Sequence, residues 1–260
     1  MALARRESAR GAPSNRLRLM VAYDGRPFDG WQSQASGNGV QDHLEAAFAK
    51  LCGEPRIAIH GSGRTDAGVH AVGQMAHADV PDRTRHTPER WRGALNSYLP
   101  AEIRVMSVRF AKADFHARFA ARGKIYRYRI WNASVLDPLE HGRAWHFPHS
   151  LDLSTLRRGS ELLLGQHDFA GFAANRHKPN ENTVRTIRRI ALRRRGSLVT
   201  LDYEGDGFLY KMVRLLTGTL VRCAQGRAST DWISELLTAK GRKTSFAAPA
   251  EGLYLMRVFY

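Results

Sequence analysis

From Arg16 to Tyr23 the chain alternates, with Leu17, Leu19, Val21 and Tyr23 on one side and Arg16 and Arg18 on the other. That is the period of a half-buried strand. Val40, Leu44, Ala47, Phe48 and Leu51 then recur at helical spacing, and Gly53 supplies a stop. Arg56–His60 and Val69–Val80 read as strands, Pro88–Tyr98 as a helix and Glu102–Ala111 as a strand. This strand–helix–strand–strand–helix–strand order is that of a ferredoxin-like α+β unit. After a connection over Ala111–Arg122 a second series begins. Lys124–Trp131 and His141–Phe147 read as strands, Leu153–Leu164 as a helix, and Val184–Arg195 and Leu198–Glu204 as strands. Helices at Phe208–Ala224 and Asp231–Ala239 and a closing strand, Leu253–Phe259, complete it. The expected fold class is α+β, built from two ferredoxin-like (RRM-like) halves with largely antiparallel sheets. Their expected extents are 16–111 and 112–260, behind a disordered basic arm at 1–15.

Charge adds a partner class to this picture. Over 260 residues, 40 Lys+Arg against 24 Asp+Glu leave a net +16. Such an excess attracts polyanions, because cations that neutralise phosphates release condensed counterions; the plainer alternative is a solvated basic surface. Six arginines fall within Val184–Arg195, and on a regular strand Arg185, Arg189, Arg193 and Arg195 share one face. They read either as a phosphate-facing stripe or as charge that keeps an edge strand from aggregating. The chain has no run of ~18 apolar residues that could span a bilayer. Residues 1–16 carry no apolar core of a secretory signal. Cys52 and Cys223 sit in apolar helical patterns, as buried thiols of a reducing compartment do. The expected location is therefore the cytoplasm.

Candidate chemistry concentrates in Gly61-Ser62-Gly63-Arg64-Thr65-Asp66-Ala67-Gly68-Val69-His70-Ala71. Glycines let this backbone bend tightly and approach a ligand, so Asp66 can project into a cavity beside Arg64. The spacing matches neither the dinucleotide fingerprint nor the phosphate-cradling loop of nucleotide hydrolases. On its own Asp66 reads more readily as a turn aspartate bonded to its own backbone than as a catalyst. Three further segments bear on it. Lys124-Ile125-Tyr126-Arg127-Tyr128-Arg129 sets Tyr126 and Tyr128 on one strand face, as a base-stacking platform or as ordinary core. Arg214, in Phe208-Leu209-Tyr210-Lys211-Met212-Val213-Arg214, lies off the apolar seam of its helix, where pairing with a carboxylate suits it. Gly165-Gln166-His167-Asp168-Phe169-Ala170-Gly171-Phe172 reads as a loop anchored by its aromatics. His146 and His149 form a bare pair without metal-ligand spacing, and no metal or other cofactor is expected.

In this order, Tyr23-Asp24-Gly25, Phe28-x-Gly30-Trp31-Gln32, the Asp66 loop, the Tyr126 strand, Asp168-Phe169, Met212-Val213-Arg214 and Ala248-Pro249-Ala250-Glu251-Gly252-Leu253 resemble the tRNA pseudouridine synthase A family. The likeness covers about Leu17 to Tyr260. It implies an isomerase that detaches uracil from a tRNA uridine and reattaches it through carbon, at positions 38–40 of the anticodon arm. Asp66 matches the family's catalytic nucleophile, Tyr126 the tyrosine packed on the target base, and Arg214 the cation that orients the nucleophile. Arg64 matches the arginine that fills the gap left by the extracted base. The resemblance further implies that the halves enclose a basic active-site cleft, that tRNA is the partner and that the protein is a homodimer. Two rivals stand beside it. One is a non-catalytic RNA-binding protein on the same fold. The other is a glycosidase-type hydrolase, which needs a second carboxylate, with Asp168 as its candidate.

Overall fold

Strand β1 (Arg16–Tyr23) buries Leu17, Leu19, Val21 and Tyr23 and leaves the alternate residues half-exposed, as its sequence dictates. This computed structural model describes residues 15–84, 86–174, 182–238 and 241–260. Of the basic arm expected at 1–15, all but Asn15 lies outside the described residues. Helix α1 (Val40–Cys52) starts at Gly39, whose N–H donates to the Asp42 carboxylate, and stops at Gly53 in the left-handed region. After β2 (His60–Gly61) and β3 (His70–Asp79), α2 (Pro88–Tyr98) begins at Thr87, whose hydroxyl accepts the Arg90 N–H, and β4 (Ile103–Phe110) follows.

The second series runs β5 (Gly123–Trp131), β6 (Trp145–His146), α3 (Leu153–Leu162), β7 (Gly165–Asp168), β8 (Val184–Arg195) and β9 (Leu198–Gly205). Helices α4 (Met212–Ala224) and α5 (Asp231–Thr238) and strand β10 (Leu253–Phe259) close the chain. The described strands join in one sheet of order β4-β1-β3-β10-β5-β9-β8-β7, with β2 on β3 and β6 on β5. Within it, β4-β1-β3-β2 and β10-β5-β9-β8 each repeat the strand order of a ferredoxin-like unit. Both ferredoxin-like units of the expected fold class are thus present, and they meet edge to edge. β10 pairs parallel with β3 through Tyr254↔His70 and Leu255↔Ala71, whereas the other neighbours along the path are antiparallel.

Four elements depart from the sequence expectation. Arg56–Ile59 alternates in burial but pairs with no strand, because the Ile59 N–H donates to the Glu45 carboxylate instead. Alternation records which side chains face inward, and says nothing of where the backbone bonds go. His141–Phe147 keeps only β6 as strand, since Gly142 turns into the left-handed region. The polar run Gly165–Asp168 is an edge strand on β8, although it shows no apolar alternation. Helix α4 begins at Met212, four residues later than its pattern reads, because Lys211 takes φ 60°. A side chain in that conformation cannot continue a right-handed helix.

Cys52 and Cys223 are buried free thiols, and burial pushes both up in pKa. No helix among the described residues is long and apolar enough to cross a membrane.

Candidate active site

The loop between β2 and β3 is fixed from beneath by a buried glutamine. Gln74 accepts the Ser62 hydroxyl at 2.7 Å and donates to the Gly63 carbonyl at 2.9 Å. The Tyr23 and Thr65 hydroxyls are 2.8 Å apart, and Trp31 N–H donates to the Thr65 carbonyl at 3.1 Å. That last approach needs Gly30, at φ +93°, where a Cβ would lie 2.4 Å from the Thr65 oxygen. Beyond Thr65 the chain turns sharply, Val69 N–H closing on the Asp66 carbonyl at 3.1 Å. Asp66 is therefore carried on backbone tied to β1, to the segment before α1 and to β3.

The other half supplies its counter-charge. Arg214, in the first turn of α4, donates from Nη1 to Asp66 Oδ2 at 3.0 Å and from Nε to the Ala248 carbonyl at 2.8 Å. Ala248 N–H returns a bond to the Arg214 carbonyl at 2.9 Å, which locks the helix to the segment before β10. The Asp66 and Arg214 side chains are 21% and 15% exposed respectively, so this pair is far less screened than a surface salt bridge. Among the described residues, Arg214 alone hydrogen-bonds the Asp66 carboxylate.

Asp66 borders a cleft of about 610 Å³, and Arg64, Lys124, Tyr126, Arg185 and Phe208 are also among its walls. Arg214 is not in that wall; it braces Asp66 from behind. Tyr126 is buried at the centre of β5, between Leu255 and Tyr203, with its ring edge-on to Phe208 at 5.2 Å. Burial first, then Tyr23 and the Asp66 charge, push the pKa of its hydroxyl well up. The phenol thus keeps its proton and can donate it in a hydrogen bond. Lys124 reaches across from the same strand to donate to the Ser62 carbonyl at 2.9 Å. Burial, then Arg118, bring its ammonium down to about 8. Gly63 makes room for it: a Cβ there would lie 2.6 Å from Nζ.

The structure brings Asp66, Tyr126, Arg214 and Arg64 to one place. It splits the arginine stripe. A bulge between Ile187 and Arg189 offsets β8 against β9, pairing Ile187 with Gly205 but Arg189 with Glu204. The extra residue reverses the facing, so Arg189, Arg193 and Arg195 keep one side and Arg185 joins the other, beside the cleft. Strict alternation could not reveal this. Arg193 also shares Asp202 with Arg127, at 3.2 and 2.6 Å, which offsets part of its charge. Asp168 is outside the cleft wall; its carboxylate accepts the Ala170 N–H and the Thr183 hydroxyl.

Sequence reasoning missed Gln74, Lys124 and Asp206. Gln74 had a signal, since a polar residue in phase with Ala76 and Ala78 on the inner face of a strand must find a partner. Asp206 lines the cleft, and its Oδ1 accepts the Thr186 N–H at 3.0 Å. No local pattern marks it.

Three histidines pack beside the cleft, with His77 lying 4.9 Å from His60 and 4.6 Å from His116 between ring centroids. Burial, then the charges of His116, Arg16 and His60 against the opposing Asp79, bring His77 from 6.5 to about 4. Its Nδ1 accepts the Ala117 N–H at 3.2 Å, which requires the neutral ring. The unfolded chain binds a proton here that the folded one refuses. Its contribution to stability is therefore complete above about pH 6.5 and is lost as pH falls towards 4. Urea midpoints should drop across that window, and His77→Asn, whose Oδ1 can still accept, should flatten the drop by about one proton's linkage. Equal slopes in the two proteins would remove His77 from the account.

Comparison with known proteins agrees along almost the whole chain. A family model described as tRNA pseudouridine synthase matches residues 19–120 and 160–260. A relative from Akkermansia muciniphila is 46% identical over 252 residues, covering 94% of this chain and 95% of its own. One from Geobacillus kaustophilus is 42% identical, covering 95% of each chain. One from Methylacidiphilum infernorum is 43% identical, covering 94% of each. All three bear the name tRNA pseudouridine synthase A. A crystal structure of a Cbf5-Nop10-Gar1 complex superposes with a TM-score of 0.41 and 11% identity, over 92% of this chain and 48% of that one. That likeness is too distant to bear on function.

Proposed function

This chain belongs to the tRNA pseudouridine synthase family, and from that premise we propose that it isomerises uridine to pseudouridine in tRNA, in the anticodon arm at positions 38–40. The observation that carries this reading is the Asp66–Arg214 pair, joined across the two halves with Asp66 in the wall of a cation-lined cleft. An acid held against RNA repels phosphate, so a protein that only bound RNA would gain nothing from it. As a nucleophile held by a half-buried guanidinium, it has a task.

In this reading the target uridine leaves its stack, at a cost of a few kcal/mol that stacking and phosphate contacts offset. With Asp66 as nucleophile, the bond from ribose C1′ to uracil N1 breaks and one from C1′ to C5 of the same uracil replaces it, while the carboxylate is released again, C5 gives up its proton and N1 gains one. Nothing is oxidised and no water is consumed. Tyr126 packs on the base and holds a proton at its hydroxyl, Arg214 orients Asp66, and Arg64 occupies the space the base vacates. The halves at 16–111 and 112–260 grip the RNA from opposite sides. The protein works in the cytoplasm as a homodimer, so that one tRNA can span both protomers. Incubation with unmodified tRNA should yield carbon-linked uridine in the anticodon arm and no free uracil. Released uracil would instead indicate a hydrolase, whose second carboxylate Asp168 does not supply at this cleft.

Arg189, Arg193 and Arg195 extend the RNA track along β8, with Arg185 reaching the RNA separately from the cleft wall. Each phosphate contact to single-stranded RNA contributes about 0.7 to the log–log salt slope. Replacing Arg189, Arg193 and Arg195 with Ser should flatten that slope by roughly 1–2. An unaltered slope would mean the three are merely solvated.

A further inference from the structure

One aromatic ring at the mouth of the cleft belongs to neither the core nor the reaction described above. Phe119, on the connection from β4 to β5, is 77% exposed, yet it and its neighbours His116, Arg118 and Ala121 line the cleft. Single exposed apolar residues are common and need no explanation. This one is held in place by an unusual amount of structure. His116 Nδ1 accepts the N–H groups of both Arg118 and Phe119, at 3.1 and 3.3 Å. His77, on β3, accepts the Ala117 N–H, and the Tyr260 hydroxyl donates to the Ala117 carbonyl at 2.8 Å. Arg16, on β1, donates to the Phe115 carbonyl at 2.7 Å. The turn is thus tied to two strands and to the chain's last residue. Its ring lies against the His116 ring, with centroids 4.3 Å apart and planes at 31°, and the Arg118 guanidinium stands 5.9 Å from the ring centre.

We infer that Phe119, backed by His116, is a stacking platform for a second RNA base, a neighbour of the uridine in the cleft, and that Arg118 takes that nucleotide's phosphate. The inference rests on the function proposed above and names a subsite of the same cleft. A fixed aromatic face costs little ordering entropy on binding, and stacking suits it to any base at that position. The charge around it selects the occupant: Arg64, Arg118, Lys124 and Arg185 line the same cleft, as a nucleic acid requires and an apolar protein segment does not.

The test uses the full-length protein and an anticodon-arm RNA carrying 2-aminopurine on either the 5′ or the 3′ side of the target uridine. Bound to the Asp66→Asn protein, the probe on one side should be quenched by stacking. Adding Phe119→Ala should relieve that quenching, and adding Phe119→Trp should preserve it. With Asp66 intact, Phe119→Ala should raise KM roughly 5- to 100-fold, the size of a lost base–aromatic stack, with the loss falling on KM rather than kcat. Thermal melting checks that the variants are folded, as expected for so exposed a position. Unchanged KM together with unchanged quenching at both positions overturns the platform and leaves the ring to a protein partner. Absence of carbon-linked uridine from the unaltered protein would instead defeat the proposed reaction, so the two failures are distinguishable.

Discussion

Asp66→Asn should abolish pseudouridine formation, with turnover lower by on the order of 10⁴-fold or more, while tRNA affinity stays within severalfold. Losses of this size accompany removal of a group on which the chemical step depends. Asparagine has nearly the shape of aspartate, and its amide oxygen can still accept from Arg214 Nη1, which lies 3.0 Å from Oδ2. The loop geometry, held by Gln74, Tyr23 and Trp31, does not involve the carboxylate and should persist. What disappears is the negative charge and the nucleophile. Binding should be equal or tighter, since a charge that repels phosphate has gone. Single-turnover assays with filter binding on the same preparation separate the two quantities. Retained turnover would exclude Asp66 as the nucleophile.

Arg214 should show the next largest effect, and the conservative replacement is the informative one. Its guanidinium spans Asp66 and the Ala248 carbonyl at once, at 3.0 and 2.8 Å. A lysine ammonium keeps the charge but lacks the planar fork that serves two acceptors in fixed directions. Arg214→Lys should therefore lower kcat about 10²- to 10³-fold with KM little changed, as misplacement of a reacting group does. Arg214→Met should lose more turnover. It should also cost about 1–3 kcal/mol of stability, because partly buried acceptors are left unpaired. Urea denaturation of both variants distinguishes the stability cost from the catalytic one. A lysine variant with turnover within threefold of the unaltered protein would remove the orienting role from Arg214.

Much of the fold was legible because the signals are local. β1 and β10 lie where their alternation puts them, and α1 ends at its glycine. Where the structure departs, a specific interaction outweighed the pattern. Ile59 gave its N–H to a carboxylate, Lys211 turned left-handed ahead of α4, and a polar run became an edge strand because β8 had a free side to pair. The candidate site was legible in part. Asp66 stood out by its glycines and Arg214 by its position off an apolar seam. Lys124, on β5, and Asp206, just after β9, enter the cleft only because segments distant along the chain converge on it.

By itself the sequence determined the element order, the two similar series of strands and helices, the excess of cations and the setting of one aspartate among glycines. Each of these depends on residues within a few positions of one another, or on composition alone. Tertiary structure decided the pairing of β3 with β10, the bulge that turns Arg185 away from Arg189, and the contact between Asp66 and Arg214 across 148 residues. Those depend on how two surfaces pack in three dimensions, and no periodicity along the chain encodes the distance between side chains so far apart in it.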